Sequence, residues 1–520
     1  MFNHAIIDLL LEHLRDLSEF LAVFLLIFSI LGLIILYIHD RYQKEHSILR
    51  NYPIVGHLRY ITEDLGVYLR QYWFEGDREE LPFNRAQRSW VYRAAKDLNN
   101  TVSFGSTRDL KPTGTVLFVD APFPTLNQDA VESKPVTIGK NCKHPYTAKS
   151  IFNISAMSYG AMSKKAIIAL SHGAKMAGCW LNTGEGGVSP YHLEGGADLV
   201  AQIGTAKYGF RTLDGKLSDK RLREVAALRQ IVMFEVKLSQ GAKPGKGGLL
   251  PAVKVNAEIS EIRGIPIHED SISPNRHPEI ANSSQLLDFI NHVRDVTGKP
   301  TGFKIALGGF EWLDELCVEI LKRGEDCAPD FITLDGAGGG TGAAPMSLID
   351  YMGIPLSEAL PVLVDTLVEY GLRDRIKIIA SSKVITPADV SWALCAGADF
   401  INSARGFMFS LGCVQALRCH LNTCPTGITS NDPRYTYGLD PTVKSVRVYH
   451  YAKNMEYEIG VISHSCGVRE PRQLNRSHAR LMTANGVSIS MASLYPNKIP
   501  GSKAKLILEK LRLESNKEST

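Results

Sequence analysis

Residues 301–340 read TGFKIALGGFEWLDELCVEILKRGEDCAPDFITLDGAGGG, and this stretch decides the fold. The run GFKIAL (302–307) is short, apolar and flanked by glycine, as a buried strand is. WLDELCVEILKRG (312–324) spaces its apolar residues three and four apart, which gives a helix one buried face. DFITLD (330–335) is a second apolar run and leads into a glycine-rich loop. A strand, a helix and a strand in this order form a parallel crossover whose strands are covered on both faces.

The same alternation continues in both directions. Strand-like runs recur as IFNISAM (151–157), IVMFEVKL (231–238), IKIIAS (376–381) and DFINSA (399–404). Between them lie SKKAIIALSHGAKMAG, SQLLDFINHVRDVTG, LSEALPVLVDTLVEYG and PADVSWALCAGA, each with one apolar helical face. Such a chain either closes into a barrel or stays an open doubly wound sheet. Glycine-rich and polar segments repeatedly follow the strand C-termini, where barrels assemble their active sites, so an α/β fold of the (β/α)8 TIM-barrel type is expected.

Ahead of this body, Phe20 to Ile38 is an uncharged run, FLAVFLLIFSILGLIILYI. At 1.5 Å per residue it is long enough to cross a hydrocarbon core of about 30 Å. Asp8, Glu12, Asp16 and Glu19 outnumber Arg15 before it, whereas Arg41, Lys44, Arg50 and Arg59 follow it. The positive-inside rule then predicts a single-pass membrane protein with its barrel in the cytoplasm. The expected division is an N-terminal segment (1–19), a transmembrane helix (20–38), a helical and irregular collar (39–110), the barrel (111–480) and a C-terminal tail (481–520).

Across 520 residues, 44% hydrophobic and 22% charged, the composition excludes a disordered or collagen-like chain. With 58 basic and 54 acidic residues, no charge excess points to nucleic acid as a partner. Nine cysteines, an odd number, read as reduced thiols rather than a disulfide framework. Three of them, Cys413, Cys419 and Cys424, form C-x5-C-x4-C, a spacing unlike the C-x2-C pairs of zinc sites. Three thiolates suit a cluster with three ligated irons, and three buried thiols are the alternative.

Three loops carry more glycine than a plain connection needs: NTGEGG (182–187), QGAKPGKGG (240–248) and DGAGGGTGAAP (335–345). Glycine lets backbone N–H groups approach an anionic ligand closely. Gly338, Gly340 and Ala343 satisfy a loose G-x-G-x-x-A, but Pro345 follows where a dinucleotide-binding helix would begin.

The strings SAMSYGAMS, LNTGEGG, VKLSQGAKPGKGGLLP, DGAGGGTGAAP and LGCVQALRCHLNTCPTGI occur in this order between about 150 and 435. They resemble the FMN-binding synthase domain of glutamate synthases. The resemblance implies FMN over the strand C-termini, a [3Fe–4S] cluster held by Cys413, Cys419 and Cys424, and reductive conversion of 2-oxoglutarate through a 2-imino acid to glutamate.

A reduced flavin needs a cation near its anionic edge, and Lys304 on GFKIAL fits that role. Barrels commonly hold phosphate after their last two strands, which selects Ser381, Ser382, Arg405 and Gly406. Met157, Ser158, Tyr159, Gly160 and Ala161 match the family segment lying against flavin and substrate. Lys243 and Arg263 resemble its carboxylate-binding cations, Glu185 its active-site acid, and Gln240 a supporting amide. Where the family usually carries a Gln after GKGG, this chain has Leu249, which cannot donate a hydrogen bond.

Glutamine-dependent members of the family begin with an amidotransferase whose N-terminal Cys is the nucleophile, whereas this sequence starts Met-Phe and its first Cys is Cys142. The expected partners are therefore a small 2-oxo acid or amino acid, ammonia or a partner-supplied amine, a reduced ferredoxin-like carrier, and the membrane. Two alternatives stay open: an N-methylamino acid or amine oxidoreductase on the same fold, and a membrane-bound electron relay without its own substrate.

Overall fold

The computed structural model describes residues 2–518. By contacts the chain separates into two units, Met1–Arg85 and Ala86–Thr520. In the first, one helix runs from Phe2 to Tyr42. Its Asp8–Tyr42 portion is long and apolar enough to cross a membrane, and none of its most apolar window is buried. At the end of this helix the buried carboxylate of Asp40 accepts from the Ile54 backbone N–H at 2.9 Å and meets His57 Nε2 at 2.9 Å, which turns the chain into the helix His57–Leu69.

The second unit is built on a closed eight-stranded parallel barrel. Its strands are β1 (Phe152–Ile154), β2 (Leu181–Asn182), β3 (Leu199–Ile203), β4 (Ile231–Lys237), β5 (Thr301–Ile305), β6 (Phe331–Asp335), β7 (Lys377–Ser381) and β8 (Phe400–Ser403). Each pairs with the next, and β8 closes on β1 through Ile401↔Phe152 to Ser403↔Ile154. All six runs read from the sequence are strands. Sequence reading missed β2 and β3, because β2 has two residues and β3 is a five-residue run interrupted by Gln202.

The expected helices form at Lys164–Ala177, Ser283–Thr297, Glu311–Arg323, Leu356–Glu369 and Pro387–Ala396. Ser163 caps the first by accepting from Ala166 N–H, and Gly178 ends it at φ 73°. Thr386 and Asp389 form a reciprocal capping box on the last, the arrangement that satisfies two otherwise orphaned N–H groups.

The N-terminal end of the barrel is plugged by apolar side chains. A hairpin of Val136–Ile138 and Tyr146–Ala148 places Ile138 and Ala148 against Trp180, Val200, Met233, Phe331, Ile379 and Phe400. Within the barrel lies a polar layer: buried Glu235 accepts from Asn182 Nδ2 at 2.8 Å, Gln202 Nε2 at 2.7 Å and the Thr333 hydroxyl at 2.5 Å. A buried carboxylate is tolerated when its oxygens are satisfied in this way. Residues on either side of position 480 belong to one small sheet, in which Val116–Phe118 pairs with Ala479–Met482 and that strand pairs with Ser488–Ser490.

Candidate active site

The strand C-termini open into a cleft of about 140 Å³. Met157, Ser158 and Ala161 after β1 line one side, and Glu185 after β2 stands beside them. Lys304 from β5, Gln240 after β4, Ser381 at the end of β7 with Ser382 after it, and Arg405 after β8 complete the wall, together with Cys419.

Two glycine-rich loops are pressed together across this cleft. A Cβ on Gly241 would lie 1.9 Å from the Gly336 carbonyl, so no other residue fits there without moving the backbone. Gly248 makes room for the acid: a Cβ there would stand 2.6 Å from Glu185 Oε1. The glycine content of QGAKPGKGG and DGAGGGTGAAP is thus partly a packing requirement.

Around Glu185 the cations converge. Lys237 Nζ lies 3.0 Å from Glu185 Oε2 and donates to Gln240 Oε1 at 2.5 Å. Gln240 Nε2 donates to the Gly340 carbonyl at 3.2 Å, which ties the two glycine loops through one amide. Burial pushes the Glu185 carboxyl up, but Lys237, Lys243 and Arg263 outweigh it and hold it below the usual carboxylate range. Lys243 is buried, and burial pushes its ammonium down to about 8 against the opposing pull of Glu185. Arg263 ends the helix Ala257–Arg263, where the sequence alone also fits an exposed helix end; it is instead 5% exposed, and its Nη2 donates to the Tyr159 carbonyl at 3.2 Å. Its buried Nε has no hydrogen-bond partner among the described residues.

At the opposite wall, Lys304 Nζ is 3.4 Å from Asp335 Oδ2, and the same oxygen accepts from Gly241 N–H at 2.9 Å. Arg405 donates to the Thr341 carbonyl, and a Cβ on Gly340 would lie 2.8 Å from its Nε. Ser382 Oγ is likewise 3.2 Å from where a Cβ on Gly338 would be. The late serines, the arginine and the glycine loop therefore meet in one place, a donor-rich corner that suits a phosphate.

The conserved region in glutamate synthase matches residues 110–469. Over 498 residues the chain is 38% identical to the glutamate synthase large subunit-like protein YerD of Bacillus subtilis, covering 88% of this chain and 94% of that one. The chain belongs to the glutamate synthase family. This is a family of oxidoreductases. The archaeal glutamate synthase [NADPH] of Methanocaldococcus jannaschii is 34% identical over 331 residues, 63% of this chain and 61% of its own length. A glutamate synthase large subunit-like protein of Rhizobium meliloti is 26% identical over 430 residues, 78% of this chain and 93% of that one. The chain thus spans somewhat less than two thirds of its archaeal relative.

Within this glutamate synthase domain, not every residue selected from sequence reaches the cleft. Gly406 is buried and does not line it; a Cβ there would lie 2.1 Å from the Tyr451 hydroxyl. Gly160 packs on Ile259 and Leu250, and the Tyr159 hydroxyl donates to Glu258 Oε2 at 2.5 Å. Leu249 stands opposite Ile272 in a short antiparallel pairing of two residues per strand, and both side chains are exposed. The loop after Pro345 makes a four-residue helix, Met346–Ile349, too short for a dinucleotide site.

Cys419 lies in the cleft wall, whereas Cys413 and Cys424 do not. Among the described residues no three His, Cys, Asp or Glu side chains converge as ligands of one ion. A polynuclear centre separates its thiolates by the width of its iron–sulfide core, so the test for it is donor chemistry rather than single-ion convergence. Cysteine thiols are the donor type such a centre takes. Burial pushes Cys413 up to about 11, with Cys419 and Cys424 adding to the effect, so the three are electrostatic neighbours. Burial also raises Cys424, but the Thr426 and Thr429 hydroxyls and backbone N–H groups more than offset it and favour its thiolate.

Sequence reasoning missed Lys237, Gln202, Asp335 and Glu235. The signal was available: charged residues on strands otherwise wholly apolar, with Glu235 and Lys237 two apart and so on one face of β4.

Proposed function

We propose that the chain is an FMN- and iron–sulfur-dependent synthase that forms an amino acid, glutamate in the most concrete case, from a 2-oxo acid and ammonia or a partner-supplied amine. Electrons come from a reduced ferredoxin-like carrier. The observation that carries this reading is the Lys237–Glu185 ion pair in the wall of a phosphate-suited cleft, with buried Lys243 and Arg263 acting on the same carboxylate.

FMN supplies two-electron reduction of an imine, and Lys304, Ser381, Ser382 and Arg405 are the residues that would hold it. Cys413, Cys419 and Cys424 would hold the [3Fe–4S] cluster, which supplies one-electron transfer. The remaining chemistry belongs to the chain itself. Lys243 and Arg263 bind the substrate carboxylates, and the unpartnered Arg263 Nε is a donor awaiting an acceptor. Buried cations fix a substrate in one pose and so convert an encounter into an oriented reaction. Glu185, held ionised by Lys237, accepts a proton from the incoming amine or hydrogen-bonds its nitrogen. Gln240 holds Lys237 in place for that task.

We also propose that Phe20–Ile38, within the Phe2–Tyr42 helix, spans a membrane with the barrel on the cytoplasmic side, because basic residues cluster after Ile38.

The test is anaerobic purification followed by cofactor analysis and reoxidation. About one FMN and about three irons per chain are expected, with the reduced flavin reoxidised by 2-oxoglutarate plus ammonia. Reduced protein that no 2-oxo acid reoxidises, with ammonia or methylamine present, would leave the electron-relay reading in place.

A further inference from the structure

Lys254 sits in the turn Ala252–Lys254 and is 3% exposed. Its Nζ donates to two carbonyls, Ala161 at 2.9 Å and Cys419 at 3.3 Å. Ala161 belongs to the segment that lines the cleft, and Cys419 to the thiol loop that enters it. The junction is sewn a second time by Asn431, whose Nδ2 donates to the Lys254 carbonyl at 3.1 Å and the Gly160 carbonyl at 3.4 Å. Three segments far apart in sequence therefore meet on one buried ammonium.

No carboxylate among the described residues answers that charge. Burial pushes the Lys254 ammonium down to about 8, Cys419 and Cys424 pull the other way, and Arg263 adds repulsion. Nearby, Arg405 Nη1 stands 4.0 Å from Cys419 Sγ. A buried ammonium without a counter-charge costs several kcal/mol. Neutral thiols do not offset that cost, whereas thiolates carrying an anionic centre do.

We propose that Lys254 is a positioning residue that pins the thiol loop to the flavin-facing segment and brings a positive charge to the Cys419 loop. The assignment rests on the iron–sulfur reading above. Lys254 is not a ligand and touches no substrate. Its charge favours the more negative, reduced form of the centre, and its two hydrogen bonds fix the separation between the centre and the cleft.

The experiment compares wild type, Lys254→Met and Lys254→Arg, all anaerobically purified at full length in detergent, by iron content, potentiometric titration of the iron–sulfur signal and hydrogen exchange over residues 413–431. Lys254→Met keeps the apolar stem, a replacement that buried sites tolerate. It is expected to retain iron but shift the one-electron equilibrium at least tenfold toward the oxidised form, a midpoint 59 mV lower. Exchange in 413–431 should accelerate at least tenfold. Lys254→Arg should recover more than half of the potential shift, which a merely structural role would not predict. Iron lost in Lys254→Met but kept in Lys254→Arg also supports the proposal; iron lost in both overturns the charge assignment. An iron-bearing wild type whose potential is unchanged in Lys254→Met sinks this inference alone, whereas iron-free wild type sinks the cluster reading beneath it.

Discussion

Lys237 Nζ stands 3.0 Å from Glu185 Oε2, and this pair fixes the charge of the cleft. It joins β4 to the loop after β2, and Lys237 was not read as a site residue from the sequence. Removing Lys237 leaves an acid in a largely buried position with Lys243 and Arg263 as its remaining cations. Lys237→Met is expected to destabilise the barrel by about 3 kcal/mol, the low end for breaking a buried pair. Chemical denaturation of wild type and variant, in parallel, measures it; equal midpoints would show the pair to be dispensable.

Glu185→Gln preserves shape and removes the charge. Turnover of a 2-oxo acid with ammonia should drop about 100-fold or more, the scale of a lost general base. FMN should stay bound, because none of the proposed phosphate-corner residues touches Glu185. A flavin spectrum on the same sample separates a lost acid from a lost cofactor.

The pH profile follows from two downward shifts with opposite effects on charge: one keeps an anion, the other loses a cation. Glu185 is held below the usual carboxylate range, so its ionised form persists down through pH 4.5 and does not limit the rate at neutral pH. Lys243 is pushed down to about 8, so its charge is lost as pH rises through that value. Affinity for a dicarboxylic substrate should therefore fall above about pH 8, and Lys243→Arg should move that limb upward. The folding linkage has the opposite sign: the unfolded chain binds the proton more tightly, so Lys243 ceases to destabilise the fold as pH passes 8 toward 10.5. Lys243→Ala should cut turnover about 100-fold without releasing FMN, read from KM and kcat together.

Cys419 is the thiol in the cleft wall. Cys419→Ser should lose iron while the barrel remains folded, since no strand residue depends on it. Metal analysis beside circular dichroism checks both halves. Zinc in place of iron in anaerobic wild type would refute the cluster.

Leu249 and Ile272 form an exposed apolar pair beside Gly247 and Gly248, and Leu249 does not line the cleft. Leu249→Gln should therefore leave the turnover of 2-oxoglutarate relative to 2-oxo acids with apolar tails unchanged, and a ratio improved by it would make Leu249 a specificity determinant.

The sequence by itself determined the barrel and the neighbourhood of its site. GFKIAL, DFITLD and IKIIAS have nothing to do but be buried strands, and helices of one apolar face must cover them, so local pattern and global fold agree. Residues adjacent in sequence to strand ends, such as Ser381, Ser382 and Arg405, were legible for the same reason. The sequence also marks the Phe20–Ile38 run, because nineteen uncharged residues are unmistakable in composition. What the tertiary structure alone decided are relations between segments. EISEIRGIP fits an exposed helix end as well as a buried one, and Arg263 turns inward because Tyr159 offers a carbonyl 104 residues away in sequence. Lys237 becomes an active-site group by meeting Glu185, and Lys254 becomes a junction by meeting Cys419, 165 residues on. Burial and charge pairing are properties of neighbours in space, and no local pattern encodes which distant partner a buried cation will find.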